Sequence, residues 1–313
     1  MDHLVSMSQL TEEEIMAILD RADNFKKFGN RELPGKYTVS NLFFEPSTRT
    51  KMSFELAERK LGLEVLPFES EYSSTVKGET LYDTVKTLEA IGLDALVIRH
   101  SQRNYYEQLI GKTSISLING GDGSGQHPTQ SLLDLFTIHE EFGKFKGLNI
   151  VIAGDIAHSR VARSNADALA RLGANVTFVC PTEWAGEFKT MNKWDGLLET
   201  SDVVMLLRVQ HERHRTTSLF TDESYHEHFG LTEERAKRLK DRAIIMHPGP
   251  FNRGVEIAEP LIECARSRIF KQVENGVYIR MAILDTILKG RKKNEKSNSR
   301  GTNAKRRREA IYN

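Results

Sequence analysis

Four consecutive residues, Ser47-Thr48-Arg49-Thr50, combine three hydroxyl groups with one guanidinium group. They stand between an apolar run from Val39 to Phe44, which predicts a β-strand, and a segment of helical spacing that begins after Pro46. The first turn of a helix has free N–H groups and the positive end of the helix dipole, so it favours an anion. Arginine adds a two-pronged, charge-assisted hydrogen bond to phosphate. The segment predicts a phosphate site, although an ordinary helix cap with a solvated arginine would have the same residues.

Five further polar clusters follow predicted β-strands in the same way. Ligands of open parallel sheets bind beyond the carboxyl ends of the strands, so residues at these ends come together. The sequence therefore predicts one cleft, formed by two domains, as the functional site. The five clusters are Arg99, Gln126–Gln130, Asp155–Arg160, Arg208–Arg213 and His247–Pro250.

These clusters are rich in arginine, and they lack the spacing of a metal site, a Ser–His–Asp triad or a Walker A loop. We therefore expect no metal and no organic cofactor. A lone arginine usually forms a surface ion pair. Four arginines in one pocket instead predict a ligand with several negative charges, such as phosphate and carboxylate groups. The four are Arg49, Arg99, Arg160 and Arg208.

Strands alternate with helices along most of the chain, which predicts parallel sheets covered by helices on both faces. The predicted fold class is α/β with two domains, each a mostly parallel sheet flanked by helices, and with the site in the cleft between them. We assign residues 1–142 to the first domain and 143–271 to the second. A helix at about 272–289 is expected to pack back on the first domain. A dinucleotide site is not expected, because Gly154-Asp155-Ile156-Ala157 lacks the second glycine that a pyrophosphate needs.

The C-terminal segment differs in charge from the rest of the chain. Residues 290–313 hold nine of the 44 Lys and Arg and two of the 43 Asp and Glu, so the net charge is +7 there and −6 elsewhere. The basic run could contact nucleic acid or direct targeting. Because Lys292 to Arg308 has no apolar residue larger than alanine, we expect a solvated, disordered tail and no nucleic-acid partner.

Bulk properties indicate a globular protein of the cytoplasm. The 313 residues are 39% hydrophobic and 28% charged, and no apolar run approaches the roughly 20 residues that cross a bilayer. The N-terminus lacks the basic-then-apolar layout of a secretion signal. The two cysteines, Cys180 and Cys264, have no metal or redox spacing and predict buried thiols in a reducing compartment. We expect no membrane association.

The motifs together resemble the aspartate/ornithine carbamoyltransferase family, in order from about residue 3 to residue 289. Two features favour the aspartate branch of that family. Ornithine carbamoyltransferases lack a lysine loop and carry His-Cys-Leu-Pro where this chain has His-Pro-Gly-Pro. The motifs that carry the resemblance are Phe44-Glu-Pro-Ser-Thr-Arg-Thr50, Val76-Lys-Gly-Glu-Thr80, Gly121-Asp-Gly-Ser-Gly-Gln-His-Pro-Thr-Gln130, Arg208-Val-Gln-His-Glu-Arg213 and His247-Pro-Gly-Pro250.

The resemblance implies a reaction and an assembly. A carbamoyl group would pass from carbamoyl phosphate to the amine of L-aspartate, giving N-carbamoyl-L-aspartate and phosphate, the committed step of de novo pyrimidine synthesis. The implied assembly is a homotrimer with active sites shared between chains. Attack of an uncharged amine needs no protein nucleophile; it needs alignment of two anions and donors aimed at the developing oxyanion.

The resemblance also implies roles for individual residues. Those implied for carbamoyl phosphate are Ser47, Thr48, Arg49 and Thr50 at the phosphate, Thr50, Arg99 and His127 at the carbonyl oxygen, and Gln130, Pro248 and Gly249 at the carbamoyl nitrogen. Those implied for aspartate are Arg160, Arg208 and Gln210. A neighbouring chain would supply Ser73 to carbamoyl phosphate and Lys77 to both substrates. The implied catalytic set is Arg49, Thr50, Lys77, Arg99, His127 and Gln130. Glu45 would pair with Arg160 and Arg213 as the domains close.

Two alternatives stay open. The acceptor could be another amine, such as ornithine, although Arg160 and Arg208 suit two carboxylates and would repel a diamine. The chain could also be a non-catalytic scaffold that binds anions. One position departs from the family pattern, since Gly249 stands where members more often carry Leu or Ala. Glycine keeps the backbone carbonyl there but loosens the loop.

Overall fold

A computed structural model describes residues 1–29, 32–210 and 220–309, without the side chains of Thr75 and residues 292–309. Two parallel sheets form the frame. The first has the order β2-β1-β3-β4 and the second β7-β6-β5-β8-β9. The strands are β1 Thr38–Phe43, β2 Glu64–Leu66, β3 Ala95–His100, β4 Ser116–Asp122, β5 Asn149–Ala153, β6 Asn175–Val179, β7 Thr190–Met191, β8 Val203–Leu206 and β9 Ile244–Met246.

Helices connect and cover these strands, so the predicted fold class is confirmed. The helices are α1 Glu12–Phe28, α2 Thr48–Lys60, α3 Leu81–Ile91, α4 Pro128–Phe142, α5 Arg160–Arg171, α6 Asp222–His228, α7 Glu233–Lys237 and α8 Ile269–Glu309. Helix α8 packs against α1, α2 and α4. In the described ranges, no helix combines the length and the apolarity that crossing a membrane requires.

Local signals explain most helix starts. The Thr11 side chain accepts from the N–H of Glu14, and the Glu14 side chain accepts from the N–H of Thr11, a complete capping box for α1. The sequence predicts a helix from about Ser131 to Phe142, and α4 starts three residues earlier, at Pro128. Proline fits the first turn of a helix, where its missing N–H costs nothing. Helix α6 was not predicted, although the Thr221 side chain caps it by accepting from the N–H of Ser224.

Two predicted boundaries differ from the structure. The sequence from Leu63 to Glu69 predicts one strand, but β2 ends at Leu66, because Pro67 has no N–H to continue the ladder. The expected disordered tail is helical through Glu309 in the structure, as a continuation of α8. A packed helix extends at little cost into residues of good helix propensity, and lysine and arginine are frequent in this segment.

A carboxyl group is buried beneath α2. Glu58 is 0% exposed, and its Oε2 accepts from Asn41 Nδ2 at 2.8 Å. Burial raises the pKa of Glu58 to about 7, against the lowering effect of the Asn41 hydrogen bond. The folded protein therefore binds this proton more tightly than the unfolded chain does.

We expect Glu58→Gln to remove a pH-dependent loss of stability. In the wild type the unfolding free energy should fall as pH rises from 4.5 to about 7, because only the unfolded chain ionises fully in that window. A shift of this size corresponds to roughly 3 kcal/mol. Denaturant unfolding at pH 5 and pH 8 checks this: the variant should gain relative to wild type at pH 8. An identical pH dependence in both proteins would contradict a buried, protonated Glu58.

Candidate active site

One cavity of about 450 Å³ opens between the two sheets, beyond the carboxyl ends of their strands. It collects most of the side chains singled out from the sequence, which had come from six separate clusters. The predicted residues on its wall are Ser47, Thr48, Arg49, Thr50, Arg99, His127, Gln130, Arg160, Arg208, Gln210, Pro248 and Gly249.

The remaining predicted residues lie elsewhere. Ser73 and Lys77 belong to a loop that does not line this cavity, and Lys77 is exposed. Arg213 lies outside the described residues. Glu45 stands behind the wall, where its Oε2 lies 3.2 Å from Arg160 Nη1 and 3.5 Å from Arg99 Nε.

The N-terminus of α2 forms the anion-binding end of the cavity. Ser47 occupies the N-cap position with extended backbone, and its side chain makes no cap hydrogen bond. The first-turn N–H groups and the helix dipole therefore face the cavity together with the hydroxyl groups. Burial lowers the pKa of Arg49, whose guanidinium group has no hydrogen-bond or ion-pair partner among the described residues. This end of the cavity can bind a phosphate group.

Gly249 brings the loop after β9 against Arg49. Its φ of +64° is in the left-handed region, and a Cβ added there would lie 2.9 Å from Arg49 Cζ. The loop is held by His247, whose Nδ1 accepts from the N–H of Gly249 at 2.8 Å and whose Nε2 lies 3.1 Å from Glu256 Oε1. Glycine at this position thus permits a close approach between the loop and the guanidinium group.

Arg160 and Arg99 place positive charge at the centre of the site. Arg160 starts α5 and donates from Nη1 to the carbonyl of Gly123 at 3.0 Å as well as to Glu45. Arg99 is the last residue but one of β3 and donates to the carbonyl of Gly120 at 3.4 Å. Glu45 is the second residue after β1 of the first sheet, and Arg160 is the first residue of α5, which follows β5 of the second sheet. Their ion pair therefore connects the two domains.

His127 is buried at the start of α4, and its backbone N–H donates to Ser164 Oγ at 3.1 Å. Burial and the nearby positive charges of Arg160, Arg99 and Arg280 hold the pKa of His127 well below its usual range. The imidazole is therefore neutral near pH 7. Its Nδ1 is buried without a hydrogen-bond partner among the described residues. A neutral imidazole can donate one hydrogen bond without acting as a base.

The far wall holds two residues from the second domain. Arg208 and Gln210 follow β8, and Gln210 Nε2 donates to the carbonyl of His158 at 3.1 Å. His158 also lines the cavity, and its Nδ1 lies 2.8 Å from Oδ1 of the buried Asp155. Among the described residues no group of three or more His, Cys, Asp or Glu could hold a metal ion.

The sequence did not point to Arg280, which reaches the cavity from α8. It is buried, and its guanidinium group lies 5.0 Å from the centre of the Phe54 ring. Burial lowers the pKa of Arg280 to about 9, and the charge of Asp134 opposes that effect. A signal was present: Arg280 is a charged residue on a helix face otherwise buried through Ile279, Ile283 and Leu284.

Known proteins share this sequence and this fold. Residues 2–140 match the carbamoyl-P binding domain of aspartate/ornithine carbamoyltransferases, and residues 146–287 match their Asp/Orn binding domain. The aspartate carbamoyltransferase catalytic subunit of Staphylococcus carnosus is 57% identical over 293 residues, which is 92% of this chain and 96% of that protein.

Solved structures of aspartate transcarbamoylases share this fold. The catalytic subunit of M. jannaschii aspartate transcarbamoylase aligns with a TM-score of 0.79 at 33% identity, over 93% of this chain and 99% of that one. Aspartate transcarbamoylase from Trypanosoma cruzi, in complex with N-(phosphonacetyl)-L-aspartic acid, aligns with a TM-score of 0.81 at 29% identity, over 91% of this chain and 95% of that one. The chain belongs to the aspartate/ornithine carbamoyltransferase family.

Proposed function

We propose that this protein transfers the carbamoyl group of carbamoyl phosphate to the amine of L-aspartate, releasing N-carbamoyl-L-aspartate and phosphate in pyrimidine synthesis. One observation carries the proposal: a single cavity joins a helix N-terminus with Arg49 to a second group of cations, Arg160 and Arg208. The first group suits a phosphate and the second suits carboxylates. The relatives named aspartate carbamoyltransferase support the same reaction.

Carbamoyl phosphate is assigned to the first domain, residues 1–142. Its phosphate binds Ser47–Thr50, and its carbonyl oxygen accepts from Thr50, Arg99 and His127. As the amine nitrogen bonds to the carbonyl carbon, that oxygen becomes negative, and these donors stabilise it. The carbon–oxygen bond to phosphate then breaks, and the departing phosphate accepts the proton that the amine loses. No protein nucleophile takes part.

L-aspartate is assigned to the second domain, residues 143–271. Arg160, Arg208 and Gln210 bind its two carboxylates, while its amine faces the carbamoyl carbon. Bringing both substrates together in a fixed orientation removes much of the entropic part of the barrier, up to about 7–11 kcal/mol in the best cases. A diamine acceptor such as ornithine would meet the positive charge of both arginines.

A neighbouring chain completes the site. Ser73 and Lys77 lie off this chain's own cavity, in a loop that exposes two large apolar side chains, Tyr72 at 83% and Val76 at 69%. Exposed apolar side chains beside functional residues are typical of a surface that another protein covers. We therefore propose a homotrimer in which Lys77 enters the next chain's cavity. The two free cysteines, Cys180 and Cys264, fit a reducing cytoplasm.

The direct test supplies purified protein with carbamoyl phosphate and either L-aspartate or L-ornithine. Colorimetric detection should show carbamoyl aspartate and no citrulline. Citrulline formation would assign the second domain to a diamine. Absence of both products, with the ligand phosphonacetyl-aspartate still bound in calorimetry, would leave the anion-binding scaffold as the function.

Gly249→Ala should weaken carbamoyl phosphate binding by displacing Arg49. The new Cβ would press on the guanidinium group, so the KM for carbamoyl phosphate should rise about 10-fold. Gly254→Ala is the matched control, because its φ of +75° imposes the same backbone strain and no atom lies within 4 Å of its added Cβ. Equal kinetics in the two variants would show that Arg49 tolerates the displacement.

A further inference from the structure

Behind the cavity, one buried carboxylate accepts hydrogen bonds from three side-chain amides. Asp134 is 0% exposed on α4. Its Oδ1 accepts from Gln130 Nε2 at 2.9 Å and from Gln272 Nε2 at 2.8 Å, and its Oδ2 accepts from Asn165 Nδ2 at 2.7 Å. The three amides come from α4, α8 and α5, so Asp134 ties both domains together at the base of the site.

The carboxylate determines how the Gln130 amide is turned. An ionised carboxylate can only accept hydrogen bonds, so the NH₂ group of Gln130 must face Asp134. The carboxamide oxygen of Gln130 is then the atom left for the cavity, whose wall includes this residue. An oxygen in that place accepts a hydrogen bond from a substrate N–H. If the amide were turned the other way, the NH₂ group of Gln130 would face the substrate N–H, and two donors cannot form a hydrogen bond.

The same carboxylate also holds the loop after β9. Gln272 donates to Asp134 and accepts from the backbone N–H of His247 at 2.9 Å. Because Gln272 makes both bonds, its amide orientation is also fixed by Asp134. His247 in turn accepts from the N–H of Gly249. The chain of bonds therefore runs from Asp134 to the loop after β9, which lines the same cavity as Gln130.

We propose that Asp134 is a positioning residue for the carbamoyl end of the substrate. Through Gln130 it turns a carboxamide oxygen, and not a donor, toward the carbamoyl NH₂ group, and through Gln272 it anchors the loop at His247–Gly249. This inference rests on the proposed function, since it assumes carbamoyl phosphate in the cavity. Asp134 does not line the cavity and touches neither substrate.

Asp134→Ala tests the inference in the full-length protein. With its acceptor gone, Gln130 is free to turn its NH₂ group to the cavity, and the loop loses its anchor. The KM for carbamoyl phosphate should rise about 10-fold or more, as for the loss of a buried hydrogen bond. Inhibition by inorganic phosphate, which has no carbamoyl group, should stay within about two-fold of wild type because Ser47–Thr50 is intact.

A conservative variant and a matched control separate positioning from folding. Asp134→Asn keeps one oxygen for Gln130 and Gln272, and its NH₂ group can face Asn165, whose Oδ1 has no partner among the described residues. We expect it to recover most of the lost affinity. Thr137→Val removes another buried hydrogen bond between α4 and α8, from Asn275 Nδ2 at 3.0 Å, away from the cavity. It should lower stability without changing either constant.

The outcomes are distinct. If Asp134→Ala keeps the wild-type KM, or if Thr137→Val changes KM equally, the positioning role is wrong. It is also wrong if phosphate inhibition weakens in parallel, because the effect would then not be confined to the carbamoyl group. Should Asp134→Ala fail to fold, Gln272→Met removes both hydrogen bonds on the path from Asp134 to the loop and leaves the bond from Gln130 to Asp134 in place. An unchanged KM for carbamoyl phosphate would overturn the proposal. A wild-type protein without transferase activity would refute the proposed function instead.

Discussion

His127→Ala is expected to reduce kcat by about 100- to 1,000-fold, the usual cost of removing one oxyanion donor. The imidazole is buried in the cavity wall, and it stays neutral because desolvation and three neighbouring arginines oppose a positive charge. A neutral donor stabilises charge that appears only in the transition state, so kcat should fall more than the KM for carbamoyl phosphate rises. His127→Asn, which keeps an N–H donor, should recover part of the loss.

The pH profile separates a donor from a general base. Because burial and the neighbouring arginines hold the pKa of His127 well below its usual range, the imidazole is neutral near pH 7 and gains no activity from deprotonation as pH rises. Wild type and His127→Ala should therefore show the same shape of kcat against pH between 6 and 8. An acidic limb near pH 6.5 that disappears in His127→Ala would identify the histidine as a base. His139→Gln, on the same helix and away from the cavity, is the control and should match wild type.

The convergence of distant motifs in one cavity could be predicted from sequence because parallel strands impose it. Ser47–Thr50 follows β1, His127 follows β4 and Arg160 follows β5, and the carboxyl ends of parallel strands share one edge of their sheet. The residue types at these ends then indicated anionic ligands. Which residues share the cleft depends on the order of strands and helices along the chain, and local sequence patterns predict that order.

Long-range packing inside the cavity wall could not be predicted in the same way. Arg280 and Gln272 approach the site from α8, and the bond from Gln272 to Asp134 joins residues 138 positions apart. Nothing near Asp134 in the sequence shows that three amides surround it, since those partners come together only when α4, α5 and α8 pack. The position of Lys77 raises a related difficulty, because the role proposed for it requires a second chain.

Mixed oligomers of Lys77→Ala and Arg160→Ala chains should regain activity that neither variant has alone. An oligomer made of one variant alone lacks one cation in every site, because all its chains carry the same substitution. If Lys77 enters the cavity of the next chain, each site combines Arg160 of one chain with Lys77 of its neighbour. A site in a mixed trimer is therefore intact when a Lys77→Ala chain, which keeps Arg160, receives Lys77 from an Arg160→Ala chain. Random mixing in equal amounts makes about a quarter of the sites intact in a closed ring of three.

The matched control mixes Arg160→Ala with Arg208→Ala, two changes in the same chain's cavity wall. No arrangement of those chains rebuilds a complete site, so activity should stay at the level of the parents. Subunit exchange is verified by native electrophoresis of chains carrying different charge tags. Verified exchange between Lys77→Ala and Arg160→Ala without recovery would place Lys77 in its own chain's cavity. The loop that exposes Tyr72 and Val76 would then have to fold inward to reach it, because this structure keeps Lys77 off the cavity wall.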